Sequence, residues 1–188
     1  EYTPKNVNNK FAEEEISLLQ AMAISDNIYA VKTLVDIGYD EYRDILKRFN
    51  LKFEQQDLPT IALCTKENTL YNLTAAYNMI ASKGQSIPAT TILSIENSEG
   101  EVIYEYEQPK NKQVISEEDA FLLIDMMTGM FDATLSDYSP ATGLSIRPKI
   151  THTYAGKSGT TETDQWMIGY SPTLTAGVWN GYDKDKLL

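Results

Sequence analysis

Two short clusters hold the residue types that move protons and grip carboxylates: Ser25-Asp26-Asn27 and, with Lys157 lying 132 positions after Ser25, Gly156-Lys157-Ser158-Gly159-Thr160-Thr161. A serine hydroxyl both donates and accepts, so Ser25 can relay a proton between a nucleophile, a general base and a leaving amine. The Asn27 amide has the same double character, which suits it to hold a peptide backbone or to orient a lysine. Lys157 sets a positive charge in an otherwise acidic protein, where it would attract a carboxylate and lower the proton affinity of its neighbours. The Ser158 and Thr160 hydroxyls could bind that carboxylate, and the small Gly159 would let another backbone come close. Each cluster also has a plainer explanation. Ser, Asp and Asn are the preferred helix N-cap residues and occupy such corners without chemistry. A lysine beside a bulge glycine is ordinary on an exposed edge strand.

The elements that would carry these clusters follow from periodicity. Ile16, Leu19 and Ala23 fall at helical spacing, predicting a helix over Glu13–Ile24 with Glu13, Glu14 and Glu15 in its first turn. Ile28, Val31, Leu34 and Val35 predict a second over Asn27–Ile37, with Gly38 as a left-handed C-terminal cap. Ser25-Asp26-Asn27 is then the corner between them. A short amphipathic stretch, Tyr42–Phe49, and a helix over Thr69–Lys83 closed by Gly84 complete a helical region. Beyond Pro88, Thr90–Ile95 and Glu101–Tyr106 alternate around Asn97-Ser98-Glu99-Gly100 and predict a hairpin. Ser116 to Asp119 resembles a capping box opening a helix toward Phe131, and 132–148 is loop or short helical turns. Strands are expected over Ile150–Lys157, Gln165–Tyr170 and Leu174–Tyr182, the last two joined by a Ser171-Pro172-Thr173 turn. The chain divides accordingly into a helical part (1–88), a hairpin (89–107), a helix and loop (108–149) and terminal strands (150–188).

Bulk properties exclude several classes. With 188 residues and 42% hydrophobic content, the chain has material for one domain with a core. A net charge of −11 argues against nucleic acid as a partner. No stretch reaches the roughly 18 apolar residues of a membrane span, and the first residues do not resemble a signal peptide. Cys64 is the sole cysteine, so an internal disulfide is excluded and it is expected to be a small core residue. No metal site is expected: Glu13–Glu15 and Glu117–Asp119 fit helix starts. His152 suits a hydrogen-bonded structural role better than a general base, and the Asn72-Leu73-Thr74 sequon lies inside a helix. Trp166, Tyr170, Trp179 and Tyr182 are candidates for lining a groove or for packing.

Taken together and in this order, the clusters match the second and third elements of the S-x-x-K, S-x-N, K-[TS]-G set of penicillin-binding proteins and class A β-lactamases. The flanking text narrows this. Ile16–Lys32, the helix and hairpin of 69–106, and 154–183 with its Trp166, Gly169-Tyr170 and Gly181-Tyr182-Asp183 resemble class A penicillin-binding proteins. That resemblance implies an α+β fold of the penicillin-binding transpeptidase and β-lactamase kind: an antiparallel sheet, here its C-terminal strands, packed with a mainly helical subdomain, truncated at both ends. It implies a peptidoglycan D,D-transpeptidase working through a serine acyl-enzyme, with a β-lactamase, a β-lactam sensor or a non-catalytic peptidoglycan-binding domain as alternatives. Ser25, Asn27 and Lys157 would be catalytic. Ser158, Gly159, Thr160 and Thr161 would bind substrate, with the Thr160 N–H as an oxyanion donor. Partners would be the stem peptides of lipid II-derived strands and β-lactam antibiotics, with no cofactor. The setting would be the extracytoplasmic face of a bacterial membrane, reached through an anchor outside this sequence.

In the family the S-x-x-K serine precedes S-x-N. No serine here is followed three residues later by lysine, so the 188 residues alone are expected to be inactive. If both clusters line one site, the Ser25 hydroxyl and the Lys157 ammonium must lie roughly 3 to 5 Å apart, with Asn27, Ser158 and Thr160 opening onto the same cleft.

Overall fold

The computed structural model describes residues 2–56, 58–63, 66–182 and 187; Cys64 and Asp183, named above, lie outside them. Helix α1 runs Leu18–Ile24, shorter than the periodicity predicts. Ser17 explains its start: the Ser17 hydroxyl accepts from the Gln20 N–H while the Gln20 side chain accepts from the Ser17 N–H, a capping box that fixes the first turn here. Glu13–Glu15 therefore precede the helix and do not sit in its first turn. Helix α2, Asn27–Ile37, has the predicted bounds. Gly38 stops it with φ +94° and ψ 152°, a positive φ but extended ψ, because the same residue is the N-cap of α3, Tyr39–Arg48. Helix α4, Leu70–Ala81, is capped by the Thr69 hydroxyl, which accepts from Asn72 N–H.

The strands that follow are short. β1 (Gln85–Ser86) pairs with β4 (Lys112–Gln113), and between them β2 (Ser94–Glu96) pairs with β3 (Val102–Glu105) as the expected hairpin, trimmed at both ends. Asn97 makes its turn by accepting the N–H groups of Glu99 and Glu101 on one oxygen. Helix α5, Glu117–Thr128, starts at Ser116, whose hydroxyl accepts from Asp119 N–H. A 3-10 turn at Gly129–Phe131 and two more at Ala133–Leu135 and Arg147–Lys149 carry the chain to the sheet.

The sheet is antiparallel, in the order β5 (Ala155–Thr160), β6 (Asp164–Ser171), β7 (Leu174–Gly181). β5 begins later than the expected Ile150 and runs through the whole Lys157-Ser158-Gly159 segment. Its register against β6 is unbroken, so Gly159 faces Trp166 with no bulge. Helices α4 and α5 pack on the sheet around a core of Phe49, Ala76, Met79, Ile80, Val114, Met127, Ala155 and Tyr170. Gly177 lets α4 approach: a Cβ there would collide with the Thr74 hydroxyl. Tyr170 is 2% exposed and its hydroxyl meets the Met127 sulfur, so it is a core residue and lines no groove. The α+β architecture expected from the sequence is the one observed.

Candidate active site

The α1–α2 corner is where local sequence first aims a functional group. Asp26 N-caps α2, its Oδ1 accepting the Tyr29 N–H at 2.7 Å. Ser25, one residue earlier, is the C-cap of α1 and adopts the left-handed region at φ 59°, ψ 53°. That conformation turns the chain between the helices. The Ser25 hydroxyl is met by the Lys157 ammonium, which donates to Ser25 Oγ at 2.6 Å. Lys157 also donates to the Ser158 carbonyl at 2.8 Å, and both Ser25 and Lys157 are partly buried.

Lys157 reaches the corner from β5, the strand at one end of the described sheet order. Side chains alternate along a strand, and directly paired residues share a face. Lys157 pairs with Ile168 and Gly159 with Trp166, whereas Ser158 pairs with Met167 and Thr160 with Gln165. The ammonium thus leaves one face of β5, and the Ser158 and Thr160 hydroxyls leave the other. The ammonium and the two hydroxyls therefore flank the edge of β5.

Other expected site residues are placed as follows. The Asn27 amide nitrogen donates to the Lys5 carbonyl at 2.9 Å. The Thr161 hydroxyl serves the β5–β6 turn, accepting the N–H groups of Thr163 and Asp164. Asp164 anchors the same turn, accepting from Trp179 Nε1 at 2.7 Å and the Thr163 hydroxyl at 2.6 Å. These donors, the Thr163 hydroxyl foremost, hold its carboxyl below the usual carboxylate range. Trp166 and Trp179 form a tilted pair beside it. His152 shares a hydrogen bond with Thr151 in an exposed stretch.

Sequence reasoning missed Asn6 and Tyr138. Asn6 Nδ2 donates to Asp26 Oδ2 at 3.0 Å, and the Tyr138 hydroxyl donates to the same oxygen at 2.7 Å. A buried aspartate inside a polar triplet signals that donors exist, but nothing local says which residues supply them.

The model of the penicillin-binding protein transpeptidase domain matches residues 1–183. The chain belongs to the penicillin-binding protein transpeptidase family. Among relatives, it is 45% identical over 187 residues to penicillin-binding protein 2D of Bacillus subtilis and 31% identical over 191 residues to penicillin-binding protein 1A of Aquifex aeolicus. All of this chain is covered in both, but only 27% and 25% of those proteins, so it spans about a quarter of their length. Its fold matches penicillin-binding protein 1A of Haemophilus influenzae with a TM-score of 0.87 at 21% identity, over 98% of this chain and 32% of that one. The PonA1 protein of Mycobacterium tuberculosis, solved in complex with penicillin V, matches at 0.76 and 18% identity, over 98% of this chain and 52% of that one. The family match and the relatives place the chain among transpeptidase domains of the class A penicillin-binding protein kind.

Proposed function

We propose that these residues form one wall of a serine D,D-transpeptidase site that cross-links peptidoglycan stem peptides and is acylated by β-lactams. The observation that carries the reading is the 2.6 Å contact between Lys157 Nζ and Ser25 Oγ, made across 132 positions of sequence. A helix cap alone has no need of it. In the reading, a serine hydroxyl supplied from outside these residues attacks the carbonyl of the donor peptide's penultimate residue. Its proton passes to a base and, through the Ser25 hydroxyl, to the departing amine of the terminal residue as the C–N bond breaks. The product is an ester, from which a second stem peptide's amine takes the acyl group. Lys157 keeps positive potential at the relay, favouring transfer of the proton away from itself.

The substrate lies along the edge of β5. From one face Lys157 offers its charge; from the other the Ser158 and Thr160 hydroxyls bind the terminal carboxylate, beside Gly159. The Thr160 N–H donates to the developing oxyanion. Asn27 Oδ1 accepts a peptide N–H of the substrate, and Thr161 braces the turn that ends the strand. The catalytic face would lie outside the cytoplasmic membrane, where its substrate is. Among the described residues no helix is long and apolar enough to cross a membrane.

Labelling of the full-length protein with a fluorescent penicillin tests this. Lys157→Ala should slow acylation roughly a hundredfold, the effect of removing one preorganised electrostatic contact of about 3 kcal/mol, with little change in melting temperature. The 188 residues alone, lacking S-x-x-K, should give no labelled band. Slow loss of label from the wild type separates a transpeptidase from a β-lactamase, which would release it within the assay. Unchanged acylation in Lys157→Ala would make the lysine structural and end the reading.

A further inference from the structure

The corner that carries Ser25 has more polar structure beneath it than a helix cap requires. An N-cap needs one acceptor, and Asp26 Oδ1 supplies it. The other oxygen, Oδ2, is held by two donors from distant parts of the chain, Asn6 Nδ2 at 3.0 Å and the Tyr138 hydroxyl at 2.7 Å. Asn6 and Asp26 are 7% and 8% exposed, so the bond between them is made out of water, where a lost partner is costly, and the Tyr138 bond is partly buried. Asn6 is used twice: its Oδ1 accepts the Asn27 N–H at 2.7 Å and the Ile28 N–H at 3.3 Å, fixing the first turn of α2 directly. Tyr138 belongs to a segment that also grips the other side of Ser25, since the Thr142 N–H donates to the Ala23 carbonyl at 2.9 Å. Burial, followed by the Asp26 carboxylate, pushes the Tyr138 phenol well up, so it stays a donor throughout the ordinary pH range. Between these clamps sits a residue with a Cβ in left-handed backbone, a conformation that persists only where its surroundings over-determine it.

We propose that Asn6 and Tyr138 are positioning residues of the acyl-transfer site: by locking the Asp26 carboxylate they keep Ser25 left-handed and its hydroxyl on Lys157. This rests on reading the Ser25–Lys157 pair as the proton relay. Neither residue touches substrate, so their loss slows proton transfer and leaves β-lactam capture unchanged.

The test is the concentration dependence of acylation of the full-length protein by a fluorescent penicillin, which separates the limiting rate from the half-saturating concentration. Tyr138→Phe removes one hydrogen bond to the carboxylate and keeps the ring. It should lower the limiting rate about tenfold, with half-saturation within about twofold of wild type. Asn6→Asp sets two carboxylates against each other and should lower the rate further. The double variant Asn6→Asp/Asp26→Asn exchanges amide and carboxylate, restores a donor–acceptor pair, and should recover most of the loss. Ser25→Ala in parallel separates the two levels of the argument. If Ser25→Ala is slow and Tyr138→Phe acylates like wild type, the positioning role is wrong and the relay stands. If Ser25→Ala acylates like wild type, the relay fails and the positioning role with it. A Tyr138→Phe protein whose rate falls only in proportion to its folded fraction, measured by near-UV circular dichroism, would make the contact purely structural. Should Asn6→Asp fail to fold, Tyr138→Phe decides alone.

Discussion

Ser25 and Lys157 meet at one contact but are brought there by different means. The Ser25 corner is fixed by side chains arriving from Asn6 and Tyr138, 20 and 112 positions from Asp26. Lys157 rides on a strand paired residue by residue with β6, from Ala155 opposite Tyr170 to Thr160 opposite Gln165. A strand held by main-chain bonds does not depend on what its side chains are, provided they fit. A corner held by a few buried side-chain bonds depends on each of them. One half of the site should therefore be brittle to substitution and the other tolerant.

Asp26→Ala presses hardest on that contrast. It removes an N-cap and leaves the buried Asn6 donor and the partly buried Tyr138 donor without their acceptor, and together these should lower stability by about 3 kcal/mol in chemical denaturation of the full-length protein. A loss below 1 kcal/mol would mean that the corner holds itself by backbone alone. A smaller pair of effects separates the two halves by pH. The Tyr138 phenol is raised in the folded state, so its contribution is whole below about pH 10 and is lost as pH rises through the raised value. The Asp164 carboxyl, which braces the β5–β6 turn, is lowered, so its contribution is present above about pH 4 and is lost as pH falls through the lowered value. The melting-temperature gap between wild type and Tyr138→Phe should close in alkali, and the gap to Asp164→Asn should close in acid. Gaps that stay constant with pH would detach both side chains from the stabilities assigned to them. The smallest effect belongs to Gly159→Ala. A Cβ there would meet only the Trp166 Cβ at 3.5 Å, an ordinary contact, and stability should change by no more than about 0.5 kcal/mol. If this substitution were as harmful as Asp26→Ala, the strand would be no more tolerant than the corner.

How much of this was legible in the sequence follows the same division. The bounds of α2 and the ends of β6 and β7 were readable to within a residue or so because their apolar spacing and flanking Gly or Pro are local signals. So were the two motifs, whose order matches penicillin-binding proteins and β-lactamases alike and whose flanking text narrows the choice. α1 starts five residues after Glu13, where the apolar spacing extended by Ile16 predicts it, because Ser17 and Gln20, an S-x-x-Q capping box, decide the start. Ile150 to Tyr154 has strand-like residues that predict an earlier start for β5, yet only from Ala155 does a partner strand lie opposite. Of the two roles open to Tyr170, groove lining or packing, its alternation with Ile168 on the covered face selects packing. Asn6 and Tyr138 carry no local signal. Their partner is another side chain far along the chain, and only the folded structure pairs them.

The left-handed backbone at residue 25 has a consequence for how variants of this domain would be selected. Helices most often place glycine at such a position, because any other residue strains there. A library screened for heat survival alone would enrich Ser25→Gly, trading the hydroxyl for an easier backbone. Durability and the proposed relay then pull this residue in opposite directions, and a natural homologue bearing glycine at this corner would be one that kept its shape and gave up the hydroxyl the proposal requires.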